Sequence, residues 1–314
     1  MSVRGKGKVS VLITSYNFSK FVEEAIHSTL QQDYKNIEII IADDCSTDGT
    51  QQIISTLSKK FPVIIPVFSD ENKGFSHNIN QGLKRCSGEY VALLSGDDRM
   101  LPGKLSKQTD FLDRHKEYGI CTHDAEVFDD QSQKVLYRMS DRFRMHAGKA
   151  EEILLCTNWL FRREIKNIPS SIMGRSELFL KHQFDERFKC WHDTLFILDC
   201  LATSKLTWGH IPEVLGRYRL HANQAHTSKE VCELSFEEMI MLLSIASVRY
   251  PELSRSIRNK RDYVLFQHLV FDWHSPEKRP AFERQFIRNA GFWKWFYMKL
   301  CHFYLRLKKF FQAT

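Results

Sequence analysis

Two adjacent carboxylates, Asp97 and Asp98, are the residues of this sequence best suited to bind a metal ion. They directly follow the apolar run at residues 90–94, which has the composition of a buried strand. Hard divalent cations prefer oxygen ligands and often bind through one or two carboxylates together with the phosphates of a substrate. Because a Gly-Asp-Asp sequence is also common in solvated turns, the pair alone leaves a metal site and a simple turn as alternatives.

A second acidic pair, Asp43 and Asp44, follows another apolar run at residues 37–42. The segment continues through Asp48 into a helix-like stretch, and Asp48 has the position of a helix-capping residue. Asp43 comes too early in the segment to serve as that cap. It is therefore the candidate for a hydrogen bond to the ribose or base of a nucleotide.

The elements that must position these side chains alternate between strand and helix. Short β-branched runs at residues 9–14, 37–42, 63–68 and 90–94 are separated by stretches with helical periodicity. This alternation predicts an α/β fold with a mostly parallel central sheet flanked by helices. In such sheets ligands bind beyond the carboxyl ends of the strands, which is where both acidic pairs fall.

The composition is that of an ordinary globular protein, with 43% apolar and 26% charged residues in a chain of 314. The eight cysteines show no metal-type spacing, and no apolar segment resembles a signal peptide or spanning helix, so we expect reduced thiols and a cytoplasmic location. The net charge of +7 comes from residues 284–314, which hold seven Lys or Arg and no acidic residue. Since no nucleic-acid-binding motif accompanies them, nucleic acid is not an expected partner.

Four segments resemble, in order and spacing, the signature blocks of family 2 glycosyltransferases with the GT-A fold. They are residues 9–17 (VSVLITSYN), 40–50 (IIADDCSTDGT), 71–83 (ENKGFSHNINQGL) and 88–102 (GEYVALLSGDDRMLP). The resemblance covers residues 8–130 and is to the type that builds bacterial envelope or capsular polysaccharides. It implies metal-dependent, inverting transfer of a sugar from a nucleotide-diphosphate donor, most commonly a UDP-sugar, to a hydroxyl of a glycan or lipid-linked acceptor.

The same resemblance implies roles for individual residues. Asp43 would hold the nucleobase and Asp97 the ribose, with Thr14 and Tyr16 lining the nucleotide pocket. Asp98 would bind the divalent metal, Mn²⁺ or Mg²⁺, that bridges the donor diphosphate.

Two later segments resemble the remaining blocks of the family. Residues 184–200 (FDERFKCWHDTLFILDC) look like the acceptor-side segment, in which an acidic residue opening a helix is the catalytic base; here this is Asp193. A carboxylate in the first turn of a helix is also stabilised by the helix dipole without any catalytic role. Residues 217–224 (RYRLHANQ) resemble the last block, whose histidine reaches the metal or diphosphate, so His221 is the second candidate for a metal ligand.

Three positions depart from the family pattern. Ser95 stands where many relatives have Asp, Ile79 where many have Arg, and His192 where they usually have Glu. These departures leave a non-catalytic sugar-nucleotide-binding protein as one alternative. A sugar nucleotidyltransferase is another, although it would need a Gly-rich phosphate loop where this chain has residues 14–17 (TSYN).

For the domain organisation we expect a GT-A domain at residues 1–225, with a nucleotide-binding half at 8–130 and an acceptor half at 131–225. Residues 226–314 are predicted to form a helical extension. Its last helix carries aromatic residues at intervals of three and four with basic residues mostly elsewhere, which suits an anionic membrane surface. The same face can pack on the catalytic domain or a twin subunit, so peripheral membrane binding and a homodimer stay open as alternatives.

Overall fold

The computed structural model describes residues 7–143, 145–154, 168–222 and 229–270. Within these ranges the strands belong to one sheet, in the order β3-β2-β1-β4-β8-β6-β9-β5, with β7 paired to β6. The strands are β1 (Val9–Ser15), β2 (Ile37–Asp43), β3 (Ile64–Phe68), β4 (Tyr90–Ser95), β5 (Arg99–Met100), β6 (Tyr118–Asp129), β7 (Val135–Arg138), β8 (Met173–Arg175) and β9 (Thr207–Leu220).

Helices flank this sheet and form a separate C-terminal pair. They are α1 (Val22–Leu30), α2 (Thr50–Lys60), α3 (Phe75–Leu83), α4 (Lys104–Arg114), α5 (Met139–Arg142), α6 (Ala150–Leu154), α7 (Ser176–Lys181), α8 (His192–Ser204), α9 (Lys229–Arg249) and α10 (Ser254–Val270).

Strands β3, β2, β1 and β4 pair in parallel, as the alternation of strands and helices predicts. Alternate residues of β1 belong to different apolar clusters, one on each face of the strand. Val11 and Ile13 pack with α1 and α2, whereas Leu12 packs with residues of α3 and α8. Both faces of the strand are therefore covered, which explains its continuous apolar sequence. Burying each such side chain stabilises the fold by about 1.5–3 kcal/mol.

The other half of the sheet is mixed. β8 runs antiparallel to both β4 and β6, while the long strands β6 and β9 pair in parallel. The prediction of a mostly parallel sheet therefore holds for the nucleotide-binding half, and β8 begins the mixed part. Within residues 131–168, the described residues form β7, α5 and α6.

The described residues divide into two compact units. One contains the sheet and its flanking helices, and the other contains α9 and α10. Among the helices that the structure describes, none combines the length and apolar character needed to cross a bilayer. The predicted amphipathic helix near the C-terminus lies outside the described residues, so both alternatives for the tail stay predictions.

Candidate functional site

The carboxyl ends of β1, β2 and β4 meet at one rim of the sheet, with β1 in the middle. Hydrogen bonds continue this pairing into the loops that follow the strands. The N–H of Asp44 donates to the carbonyl oxygen of Ser15 at 3.0 Å, and the N–H of Gly96 donates to that of Thr14 at 2.8 Å. The two acidic pairs are therefore brought to the same rim, which the predicted parallel sheet requires.

Asp97 and His221 meet at this rim from different parts of the chain. Nε2 of His221, just after β9, lies 3.1 Å from Oδ2 of Asp97, and their side chains are 8% and 10% exposed. The hydroxyl of Ser95 donates to the other carboxylate oxygen of Asp97. The pair thus presents a carboxylate oxygen and an imidazole nitrogen, both of which bind divalent cations.

The carboxylate of Asp98 is buried, with the residue 1% exposed. Oδ1 accepts a hydrogen bond from the backbone N–H of Arg219 at 2.9 Å, and Oδ2 accepts one from the hydroxyl of Ser170 at 2.5 Å. Burial, together with the negative charge of Asp97, raises the pKa of Asp98 well above its usual value. The sequence predicts that Asp97 binds the ribose and that Asp98 binds the metal. In the structure Asp97 lies beside His221, and both carboxylate oxygens of Asp98 accept hydrogen bonds from within the protein.

A buried lysine lies behind Ser170. Lys104 begins α4 and is 0% exposed, and its ammonium group donates to the carbonyl oxygens of Ser170 at 2.6 Å and Leu93 at 3.4 Å. Burial lowers the pKa of Lys104 to about 7. Sequence reasoning missed this residue, because a lysine at the start of a helix ordinarily extends into solvent.

Asp43 and Asp44 organise the loops that would surround a nucleotide. Asp43 is buried; Oδ1 accepts hydrogen bonds from the N–H of Ser46 and the amide of Gln51, each at 2.9 Å, and Oδ2 accepts one from the Ser46 hydroxyl at 2.6 Å. Asp44 accepts hydrogen bonds from the N–H groups of residues 73 and 74 at 3.0 and 2.7 Å. The geometry therefore assigns Asp43 to holding its own loop, and its predicted contact with the base stays a prediction.

The loop after β1 is tied to the loop after β2. Asn17 has a positive φ of 55°, and its N–H donates to the hydroxyl of Ser46 at 2.8 Å. Asp48 accepts hydrogen bonds from the N–H of Ser19 at 2.9 Å and from the N–H of Thr50, the first residue of α2, at 3.1 Å. The N-cap position itself is Gly49, one residue after the predicted one. Of the two predicted pocket residues, Thr14 is buried and Tyr16 is exposed.

Asp193, the predicted base, is the second residue of α8 and is partly exposed. Its neighbour His192 is buried, with its ring centroid 4.3 Å from that of Phe75 in a T-shaped contact. Phe75 begins α3 directly after Gly74, whose N–H donates to Asp44. This series of contacts joins the start of α8 to the acidic rim.

The departures from the family pattern have different surroundings. Ile79 is buried in the apolar cluster that contains Leu12 and Leu83, so no cation occupies the position where relatives carry arginine. Ser95 instead supports Asp97 directly. His192 packs between aromatic rings of Phe75 and Phe184.

Comparison of the sequence with known proteins identifies the same family that the sequence motifs resemble. The model of glycosyl transferase family 2 matches residues 10–168, which is half of the chain. A Bacillus subtilis protein assigned to teichuronic acid biosynthesis as glycosyltransferase TuaG is 42% identical over 34% of this chain and 42% of its own length. An uncharacterized glycosyltransferase of Rickettsia typhi is 32% identical over 69% of this chain and 65% of its own length. The matched segment spans less than half of TuaG and of EpsE, another glycosyltransferase assignment in B. subtilis.

Solved structures show the same fold. S. aureus TarS (residues 1–349), solved with UDP-GlcNAc, superposes with a TM-score of 0.65 over 90% of this chain and 81% of its own, at 19% identity. A Pyrobaculum calidifontis mannosyltransferase, solved with GDP-Man and Mn²⁺, gives a TM-score of 0.56 over 99% and 89%, at 16% identity. The predicted GT-A fold is therefore confirmed, and the chain belongs to glycosyl transferase family 2.

Proposed function

We propose that this protein transfers a sugar from a nucleotide-diphosphate donor to a hydroxyl group of a glycan or lipid-linked acceptor. The observation that carries the proposal is the meeting of Asp97 and His221, from the ends of β4 and β9, at the rim where the loops of a nucleotide-binding sheet converge. Membership of the family supports the reaction type. The donor complexes of the structural neighbours, UDP-GlcNAc for TarS and GDP-Man for the mannosyltransferase, support the donor class, and we expect a UDP-sugar.

Asp97 and His221 are proposed to hold a divalent cation, Mn²⁺ or Mg²⁺. Their oxygen and nitrogen atoms, 3.1 Å apart, fit such an ion chemically. Among the residues that the structure describes, no group of three or more His, Cys, Asp or Glu side chains is arranged as a metal site, so phosphate oxygens of the donor would complete the ligand set. When bound, the cation would neutralise the charge that develops on the departing diphosphate.

Asp98 then has a supporting role in place of the predicted one. Its two oxygens accept hydrogen bonds from Arg219 and Ser170, which fixes the turn that carries Asp97. We therefore propose that Asp97, the more accessible of the two carboxylates and the one beside His221, binds the cation in place of Asp98.

Asp193 is proposed to remove the proton from the acceptor hydroxyl. A carboxylate that is partly exposed at the start of α8 can reach an acceptor in solvent, whereas the buried Asp43 and Asp98 cannot do so without rearranging. Attack on the anomeric carbon from the side opposite the diphosphate would invert the configuration. Thr14 and Tyr16 would border the nucleotide, with Asp43 holding the loop beneath it.

The acceptor and the location are the parts of the proposal that depend on relatives. TuaG is assigned to teichuronic acid synthesis, which favours an acceptor in a cell-envelope glycan. A peripheral position on the cytoplasmic face of the membrane would bring the site to a lipid-linked acceptor. Co-sedimentation with anionic liposomes, comparing the full chain with a version truncated at Asn289, tests the tail: equal sedimentation of the two would contradict membrane binding by the tail.

Nucleotide release from a panel of UDP- and GDP-sugars, with Mn²⁺ or with EDTA, tests the reaction itself. We expect release from at least one donor that depends on the cation and falls by about 100-fold or more in Asp97→Asn, since a lost metal ligand removes charge stabilisation of several kcal/mol. Asp129→Asn is the matched control, because this partly exposed carboxylate accepts hydrogen bonds from the N–H and the hydroxyl of Ser132 in its own turn. Binding of a nucleotide sugar without release of nucleotide, for every donor, would establish the non-catalytic alternative instead.

A further inference from the structure

A buried arginine lies directly behind the Asp97–Asp98 turn. The side chain of Arg219 is 3% exposed, and its Nε donates to the backbone carbonyl oxygen of Asp97 at 2.7 Å. The backbone N–H of the same residue donates to Oδ1 of Asp98 at 2.9 Å. One residue of β9 therefore holds both members of the acidic pair.

The remaining donors of Arg219 reach two other elements. Nη1 donates to Oδ1 of Asp130, just after β6, at 2.6 Å, and Nη2 donates to Glu24 of α1. The guanidinium group also lies 4.7 Å from the ring centroids of Phe21 and Phe128. A guanidinium has a planar fork of donors in fixed directions, so these partners define a single orientation.

Glu24 binds a second arginine on the other flank of the acidic pair. Arg99, the residue after Asp98, donates through Nη1 to one carboxylate oxygen of Glu24, while Arg219 donates to the other. The guanidinium of Arg99 lies 4.4 Å from the ring centroid of Phe128, the ring that Arg219 also contacts. Glu24 thus bridges two cations that enclose the turn, and we name Glu24, Arg99 and Arg219 the arginine brace.

The brace is also connected to His221. Phe21, at the start of α1, has its ring centroid 4.9 Å from that of His221 and 4.7 Å from the guanidinium of Arg219. Only one residue separates Arg219 from His221 in the sequence. The first turn of α1 therefore supports the imidazole through Phe21 and the aspartates through Glu24.

We infer that the arginine brace is a positioning device that sets Asp97 and His221 at the separation needed to hold a cation together with a diphosphate. The inference rests on the proposed function and adds Glu24 and Arg219 to it as positioning residues. A fold-stabilising arginine could take its acceptors anywhere in the sheet. Arg219 takes them from the turn that carries Asp97 and Asp98 and from the helix that packs on His221.

The test is the affinity for UDP, measured by isothermal titration calorimetry with and without Mn²⁺ for the full chain. Glu24→Gln and Arg219→Lys should weaken UDP binding in the presence of Mn²⁺ by about tenfold or more, the loss typical when the partner of a metal ligand is removed. UDP binding without metal should change little, because the brace does not belong to the nucleoside loops. A general loss of stability would weaken both affinities alike.

Two matched controls share the chemistry but not the position. Glu23→Gln alters the neighbouring glutamate of α1, which is exposed and near His27. Arg217→Lys alters an arginine two residues earlier on β9, which pairs with Glu126 at 2.8 Å. Both should keep the wild-type affinities. Glu24 is 40% exposed, so Glu24→Gln provides the measurement even if Arg219→Lys does not fold.

The outcomes separate the two claims. If wild type binds UDP more tightly with Mn²⁺ and the brace variants keep the same ratio of affinities, the inference is wrong and the proposed function stands. If wild type neither binds UDP with Mn²⁺ nor releases nucleotide from any donor, the proposed function is wrong, whatever the brace variants show. A selective loss of the Mn²⁺-dependent affinity in Glu24→Gln, with Glu23→Gln unaffected, supports the brace.

Discussion

Replacing Lys104 by methionine should flatten the rise of stability with pH in the neutral to mildly alkaline range. The pKa of Lys104 falls from 10.5 to about 7 on folding, because its ammonium group is buried behind Ser170. As the pH increases above about 7, the folded protein releases this proton while the unfolded chain keeps it. The unfolded state then binds more protons, so the free energy of unfolding increases with pH.

The size of this effect follows from the two pKa values. Each pKa unit corresponds to about 1.4 kcal/mol, and Lys104 is half protonated in the folded state near pH 7. Between about pH 7 and about pH 8.5 the contribution is therefore about 1.5 kcal/mol. Above about pH 9 the buried thiols of Cys86 and Cys121, whose pKa values burial raises to about 12, act in the opposite direction.

Urea denaturation at several pH values measures the difference. Wild type and Lys107→Met should show the rise, since Lys107 lies one turn later in α4, is exposed and pairs with Glu213. Lys104→Met should lack this rise, whether the substitution increases or decreases the stability measured at any one pH. A rise as steep in Lys104→Met as in wild type would show that Lys104 stays charged in the folded protein, and the reasoning would be refuted.

Three further substitutions test other parts of the structure. Asp193→Asn should lower the transfer rate by about 10²- to 10⁴-fold with donor affinity unchanged, and near-normal transfer in a steady-state assay would remove Asp193 as the base. Gly88→Ala should destabilise the fold by about 1–3 kcal/mol in thermal or urea denaturation, because a Cβ there would lie 2.6 Å from the backbone nitrogen of Ser10 and 2.7 Å from the carbonyl oxygen of Lys8. Ile79→Ala should lower the free energy of unfolding by about 2–5 kcal/mol in the same experiment. A decrease below about 1 kcal/mol would contradict the close packing of the apolar cluster that contains Ile79, Leu12 and Leu83.

The parallel half of the fold follows from sequence because its strands are apolar on both faces. The predicted run at residues 9–14 becomes β1, and the helix-like stretch predicted after Asp48 becomes α2 (Thr50–Lys60). Strands β6 and β9 were not predicted. Their buried positions include polar residues such as Asp124 and Arg219, which hide the apolar alternation that would reveal a strand.

The candidate site was predictable in its location and less so in its detail. Strand ends in a parallel sheet share a rim, so the placement of both acidic pairs follows from the order of elements. Which of the buried residues Asp97 and Asp98 is the more accessible depends on the geometry of a turn, and a turn has no periodic sequence pattern from which this could be predicted. The sequence did not indicate a role at the site for Glu24, because a glutamate in the first turn of a helix is favoured there by the helix dipole alone.

The hydrogen bonds between the loops of the nucleotide half bear on how a donor would bind. Asn17 with Ser46, and Asp44 with Gly74, cross-link segments that follow three different strands. The conformational entropy of these segments is thus already lost when the chain folds. A donor would meet a preorganised cradle, and its affinity would not be reduced by the cost of ordering that cradle.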